Sequence, residues 1–295
     1  MNTLLTLLTI CIVIIIYMHV VYQLTTSNDL EIFELDTPSK IKLEDVCNLR
    51  QPLLFPYRDE TLQCSIPNLL EYKAFDVTVY DSSYNISVIP LNNAIQLFEK
   101  KNYVSKHNSD FLHETMVTRQ FMTTDAYLRP PMVSSIEYDI LFGADGSTTR
   151  LEYNTHYRTY VYVSNGTVTI KLTPPRNTKY LNVEKDYSNQ CYYSSVHPWN
   201  TTLDKVKFLE LTLQKGQMLF IPAYWWYSIK FEKDSCVCTF QYKTVMNIIA
   251  TLPDICMGVL QRQNTKTKIK LTPSFPLNPS SSDASRTSKD PDERR

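Results

Sequence analysis

Lys215-Gly216-Gln217-Met218-Leu219-Phe220-Ile221-Pro222-Ala223-Tyr224-Trp225-Trp226-Tyr227-Ser228-Ile229 is the stretch whose reading decides the fold. Lys215-Gly216 reads as a turn, because glycine accepts the positive φ that tight turns require. Gln217 to Ile221 is short, apolar and bounded by Gly216 and Pro222, the signature of a buried strand. Tyr224, Trp225 and Trp226 then form an aromatic cluster, and a second strand runs from Trp225 to Phe231. Large aromatics bury wide areas and most often serve packing, so this cluster is expected at the mouth of a β-structure, with Trp199 as a cap over it.

Working outward, Phe208–Leu213 and Ser235–Tyr242 flank this pair with the same strand patterning, and an earlier series comprises Ile136–Phe142, Thr148–Tyr153, Tyr157–Val163 and Thr167–Leu172. Ser164-Asn165-Gly166 predicts a hairpin turn. Pro174-Pro175 ends that series, and a polar, Tyr-rich insertion follows to about residue 203. Upstream, Phe75–Tyr80 and Ile86–Pro90 read as strands and Leu91–Lys101 as a short helix. Residues 41–74 read as extended or looped, and 102–135 give no clear pattern. Thr244 to Arg262 predicts one or two helices broken near Pro253. Serial strands with short turns predict a mainly β fold, a double-stranded β-helix of the jelly-roll or cupin kind with flanking helices.

The amino terminus is a second strong signal. Leu4 to Tyr22 carries no charge, and about 20 apolar residues suffice to cross a bilayer as a helix. The absence of a basic n-region and of an A-x-A-like site favours an uncleaved single-pass signal anchor over a cleaved signal peptide. The expected organisation is a transmembrane anchor at 1–24, a polar, acidic stalk at 25–40, a β-domain at 41–262 and a disordered tail at 263–295. With 30 basic and 30 acidic residues the net charge is zero, which gives no bulk attraction for nucleic acid. Five glycines leave no Gly-rich phosphate loop, and GxSxG and HExxH are absent. Sequons at Asn85, Asn165 and Asn200 permit a translocated domain but arise often by chance. Outside the anchor, six cysteines suit either three disulfides or buried thiols. Cys236 and Cys238 share one strand face and have no second close pair for zinc.

Two blocks carry a family resemblance. One is the stretch quoted above. The other is Ser147-Thr148-Thr149-Arg150-Leu151-Glu152-Tyr153-Asn154-Thr155-His156-Tyr157-Arg158, followed by strand, turn, strand and Pro174-Pro175. Together they resemble the JmjC/cupin-like (asparaginyl-hydroxylase-like) Fe(II)/2-oxoglutarate dioxygenases over roughly residues 40 to 262. In that family the first block reads T-x-L-H-Y-D and the second ends in histidine. The resemblance implies a facial triad of two histidines and one carboxylate, with positions open for 2-oxoglutarate and oxygen. Here H-Y-D falls on Glu152-Tyr153-Asn154 with one extra residue in the turn, or on Tyr153-Asn154-Thr155 without it. The distant histidine falls on Tyr227. The lysine that pairs with 2-oxoglutarate falls near Val168, and the nearest lysine, Lys171, points to the other strand face. Of His107, His113, His156 and His197, none begins H-x-D or H-x-E.

The resemblance therefore implies a degenerate member, a pseudoenzyme with no metal ligands of the family type and no cofactor. Glu152, Asn154 and Tyr227 are its degenerate metal positions and Val168 its degenerate co-substrate position. Thr149, Tyr153, His156, Tyr224, Trp225 and Trp226 are candidate pocket-lining residues. The expected function is a structural or interaction module with a protein partner, held at a membrane through residues 4–22. The low-glycine, Tyr-rich style suits a virion or host-membrane protein of a large DNA virus. The alternative is an active hydroxylase using Fe(II) and 2-oxoglutarate with atypical ligands, for instance Glu152, His156 and Tyr227. Otherwise Glu152 is expected to be solvated or paired with Arg150 or Arg158. A third reading is a ligand pocket without redox chemistry.

Overall fold

The structure, a computed structural model, describes residues 2–99, 102–187, 190–200, 203 and 205–263. Helix α1 (Asn2–Leu24) is followed by β1 (Phe33–Glu34), α2 (Lys40–Cys47), β2 (Leu53–Pro56) and α3 (Ile66–Leu69). A hairpin of β3 (Asp76–Tyr80) and β4 (Ile86–Pro90) leads to α4 (Leu91–Phe98), β5 (Val104–Ser105), α5 (Ser109–Glu114) and α6 (Met122–Leu128). Then come β6 (Val133–Gly143), β7 (Glu152–Tyr153), β8 (Arg158–Asn165), β9 (Thr167–Thr173), β10 (Val183–Asp186) and β11 (Cys191–Ser194). The described chain ends with β12 (Leu209–Gln214), β13 (Gln217–Pro222), β14 (Trp226–Phe231), β15 (Cys236–Thr244), α7 (Val245–Ala250) and α8 (Leu252–Gln263).

The strands form two sheets, nine in the order β1-β2-β13-β8-β15-β6-β5-β3-β4 and six in the order β10-β11-β7-β14-β9-β12. Side chains alternate along a strand, so β8 turns Val161 and Val163 toward the six-stranded sheet and Tyr160 and Tyr162 toward the helices. The inter-sheet core joins Val161, Ile170, Leu219, Ile229 and Val237. The helix-side core joins Tyr160, Phe220 and Phe240 to Leu43, Phe111 and Phe121. Cys236 and Cys238 both lie in that second layer, and none of the cysteines forms a disulfide among the described residues.

Several expectations change. Ser164-Asn165-Gly166 closes no hairpin. β8 pairs with β13 and β15, whereas β9 pairs with β12 and β14, so the turn carries the chain from one sheet to the other. Its chemistry still fits: Gly166 has φ 73°, and a Cβ there would sit 2.7 Å from Ser235 Cα. The sequence requirement is for left-handed backbone, which a sheet-switching corner shares with a hairpin. In the expected strand Thr148–Tyr153, only Glu152 and Tyr153 join a ladder, and Thr148 makes an isolated bridge to Lys230. The region read as loop contains α2, capped by the Ser39 side chain, together with β2 and α3. The Tyr-rich insertion supplies β10 and β11, and 102–135 holds α5 and α6. The helix expected to run to Lys101 ends at Phe98, and Lys100 and Lys101 fall outside the described residues. The tail expectation for 263–295 lies, apart from Gln263, outside them too.

The segment read as a stalk lies along the barrel. Thr26 Oγ1 donates to the Arg50 carbonyl at 2.9 Å, Trp225 Nε1 donates to the Ser27 carbonyl at 3.1 Å, and β1 pairs with β2. The last turn of α1 is tied down as well, because the Arg50 guanidinium lies 4.0 Å from the Tyr22 ring centroid and donates to the Thr25 carbonyl. The span Thr3–Leu24 is long and apolar enough to cross a membrane, as an anchor or a signal sequence would be.

Candidate functional site

β7 and β14 are antiparallel neighbours, and their register sets Glu152 directly opposite Tyr227. The Tyr227 hydroxyl donates to Glu152 Oε1 at 3.3 Å. The other carboxylate oxygen, Oε2, accepts from Lys106 Nζ at 2.5 Å. Lys106 directly follows β5, which pairs with β3 and β6, and its backbone N–H bonds Thr78. That edge of the nine-stranded sheet delivers the ammonium to the six-stranded one. The side chains are 6% and 14% exposed, and Lys106 Nζ also lies 5.4 Å from the Tyr80 ring centroid and 5.3 Å from that of Tyr193. Glu152 thus pairs with Lys106, whereas Arg150 pairs with Glu184 and Arg158 donates to Asn48.

These residues do not fit a divalent metal of the hydroxylase kind. The Glu152 carboxylate is already neutralised. Asn154 Oδ1 accepts from the His156 N–H and the Thr159 hydroxyl, which fixes the amide orientation and leaves Nδ2, a donor, as its buried unpartnered atom. Burial, reinforced by the Glu152 charge, holds the Tyr227 phenol well above its ordinary pKa. A neutral phenol is a poor ligand for Fe(II). Val168 is fully buried in the inter-sheet core, while Lys171, on the other face of β9, pairs with Glu210. Among the described residues no group of three His, Cys, Asp or Glu is arranged to hold a metal.

His156 does not join Glu152. Its ring is buried and faces Glu137, with Nε2 to Oε2 at 3.5 Å. Burial lowers its pKa below the ordinary histidine value, opposed in part by Glu137. A depressed histidine takes up its proton more readily in the unfolded chain, so its contribution to stability is present above about pH 6.5 and lost as pH falls below that. Urea unfolding at pH 7.5 and 5.5 should show this acid loss, and His156→Gln should reduce it, the remainder falling to His107 and His197, which burial lowers as well. An unchanged acid limb in the variant would assign the loss elsewhere.

The other candidates divide between layers. Thr149 is buried, and its Oγ1 accepts from the Ile229 N–H at 2.9 Å. Trp225 belongs to the inter-sheet core. Tyr153 and Trp226 lie on the opposite face of the six-stranded sheet, 4.7 Å apart between ring centroids, with Trp226 Nε1 donating to Thr178. Tyr224, at φ 65°, leans on Tyr153 at 6.1 Å. Trp199 does not cap the barrel: its Nε1 donates to Ser228 Oγ on the outer face of β14. Of these candidates Thr149 and Trp199 border the cavity of about 340 Å³ beside the ion pair, whose wall also includes Tyr80, Tyr84, Lys106, Arg150 and His197. Lys106 is the residue that sequence reading missed. It has no partner within reach along the chain, and a two-residue strand gives no periodic signal.

A sequence profile described as a cupin-like domain matches residues 78–247. That span exceeds half of the chain and runs from β3 through Lys106, Glu152 and Tyr227 into α7; the chain belongs to the cupin-like domain family. No curated protein matches it.

Proposed function

From membership of the cupin-like family we propose that this chain is a non-enzymatic structural or interaction module, held at a membrane by residues 4–22 and presenting its barrel to a protein partner. The carrying observation is Lys106 on Glu152. The ammonium neutralises the residue at the position where the likeness to the JmjC/cupin-like hydroxylases puts the first metal ligand, so the protein supplies its own cation to that carboxylate. Tyr227 closes the seat from the neighbouring strand, and Val168 offers no charge for a dicarboxylate. The cavity beside the pair supports a binding role over a redox one, since its wall mixes aromatic rings with Arg150 and His197. The glycine-poor, tyrosine-rich composition and the anchor-plus-barrel layout suit a membrane or virion protein of a large DNA virus.

The full-length chain in detergent, incubated anaerobically with Fe(II), desalted and supplied with 2-oxoglutarate and oxygen, should retain far less than one iron per chain and form no succinate above a protein-free blank. One tightly held iron per chain, with succinate produced, would replace this reading by an active hydroxylase with atypical ligands.

A further inference from the structure

Helix α8 is amphipathic in the wrong sense for a surface helix. Its outward face carries Leu252, Cys256, Met257, Val259 and Leu260, with Val259 52% and Leu260 61% exposed. Toward the domain lie buried Gly258 and half-buried Asp254 and Ile255, and polar contacts tie the helix down from there and from exposed Gln261. Asp254 accepts from the Tyr192 hydroxyl, and Gln261 accepts from the Tyr187 N–H and donates to Asp186. An ordinary surface helix hides its apolar stripe and shows its polar one. α7 extends the exposed stripe with Val245 and Ile249, one turn apart and 45% and 43% exposed, and Met132 beside them is 73% exposed. A contiguous apolar area of this kind on a folded domain marks an interaction surface.

Its continuity identifies the occupant. α7 packs against α1, and Met18, His19 and Tyr22 of α1 share a cavity of about 480 Å³ with Met132, Tyr157 and Met246. The apolar patch therefore runs directly into the apolar helix. The connection has little slack, because Arg50 and Trp225 tie residues 22–27 to the barrel. If α1 lies in a bilayer, the α7–α8 face is held at its surface. We propose that this face is a lipid-seating platform: α8 lies in the interfacial layer with Leu252, Met257 and Leu260 at the headgroup–acyl boundary, so that the barrel rests on the membrane. Amphipathic helices bind bilayers in this way, sinking about 5–10 Å. The inference depends on α1 being a membrane span, and the experiment separates the two.

Cys11 on α1 and Cys256 on α8 are the exposed cysteines, and Cys191 is half-buried. Full-length chains reconstituted in phosphatidylcholine vesicles, with Cys191→Ser and either Cys11→Ser or Cys256→Ser, take an environment-sensitive fluorophore at the remaining exposed thiol. Lys233→Cys, in a background lacking all three, gives a water reference. That residue lies in the turn before β15, whose nine residues set it about 30 Å from α7. The fluorophore at Cys256 should be blue-shifted against this reference and lose most of its emission to lipids brominated near the top of the acyl chain. Met257→Asp with Leu260→Asp should abolish that quenching while the Cys11 fluorophore stays quenched. A water-like Cys256 beside a quenched Cys11 overturns the platform and leaves the anchor standing. Cys256 shielded but untouched by brominated lipid also overturns it, in favour of a second copy or residues 264–295 as the cover. A water-like Cys11 sinks the anchor itself.

Discussion

Lys106→Met should lower the stability of the folded domain by about 3–5 kcal/mol, because it strands a buried carboxylate. Glu152 is only 14% exposed on its side chain, and its remaining hydrogen bond, from the Tyr227 hydroxyl, is long at 3.3 Å. The expected loss reflects the solvation that Glu152 cannot recover more than the attraction it gives up. Replacing both partners, Lys106→Met with Glu152→Leu, should therefore restore most of the stability, since no charge is left in the interior. Equilibrium urea unfolding of the two variants and the parent decides this. If the double variant is as unstable as the single one, Lys106 matters through its packing between Tyr80 and Tyr193 rather than through its charge. A loss of this size is a large share of the total stability of a typical domain, about 5–15 kcal/mol, so the single variant should also express poorly.

Which parts of this arrangement were legible in the sequence follows from how local their signals are. β13 and β14 are bounded by Gly216 and Pro222 and read directly from an apolar run with breakers. Pro253 marks the boundary between α7 and α8 because proline is tolerated in the first turn of a helix and not in its interior. The proximity of Glu152 to Tyr227 followed from the family likeness, and the ladder realises it. What escaped was set by tertiary context. The corner at Asn165-Gly166 has the local chemistry of a hairpin, and only the partners of β8 and β9 distinguish the two. Residues 25–34 are polar enough to read as a free linker, yet Ser27 and Thr26 use backbone and hydroxyl groups to dock on Trp225 and Arg50. Lys106 lies 46 residues from Glu152 in the chain. Nothing in its own neighbourhood shows that its charge is spent inside the barrel.

That hidden lysine sets the outcome of rebuilding the family's ligands. Glu152→His, Asn154→Asp and Tyr227→His together place two imidazoles and a carboxylate on the adjacent strands where the resemblance expects them. The hydrogen bonds that now orient Asn154 Oδ1, from the His156 N–H and the Thr159 hydroxyl, would orient the new carboxylate equally well. The triple variant should nevertheless bind Co(II) or Ni(II) poorly. With Glu152 gone, the Lys106 ammonium is left within the seat and turns to the carboxylate introduced at position 154, taking the one anionic ligand. Two unit charges about 4 Å apart interact by about 4 kcal/mol at an effective dielectric constant near 20, and a divalent ion feels more before the lysine swings aside. Adding Lys106→Ala should therefore raise metal affinity by about a thousandfold, the equivalent of about 4 kcal/mol. Co(II) titration followed by its ligand-field absorbance measures both variants. Equal affinity with and without Lys106 would show that the ammonium does not guard the seat, and the proposed non-enzymatic role would then rest on the three substituted ligands alone.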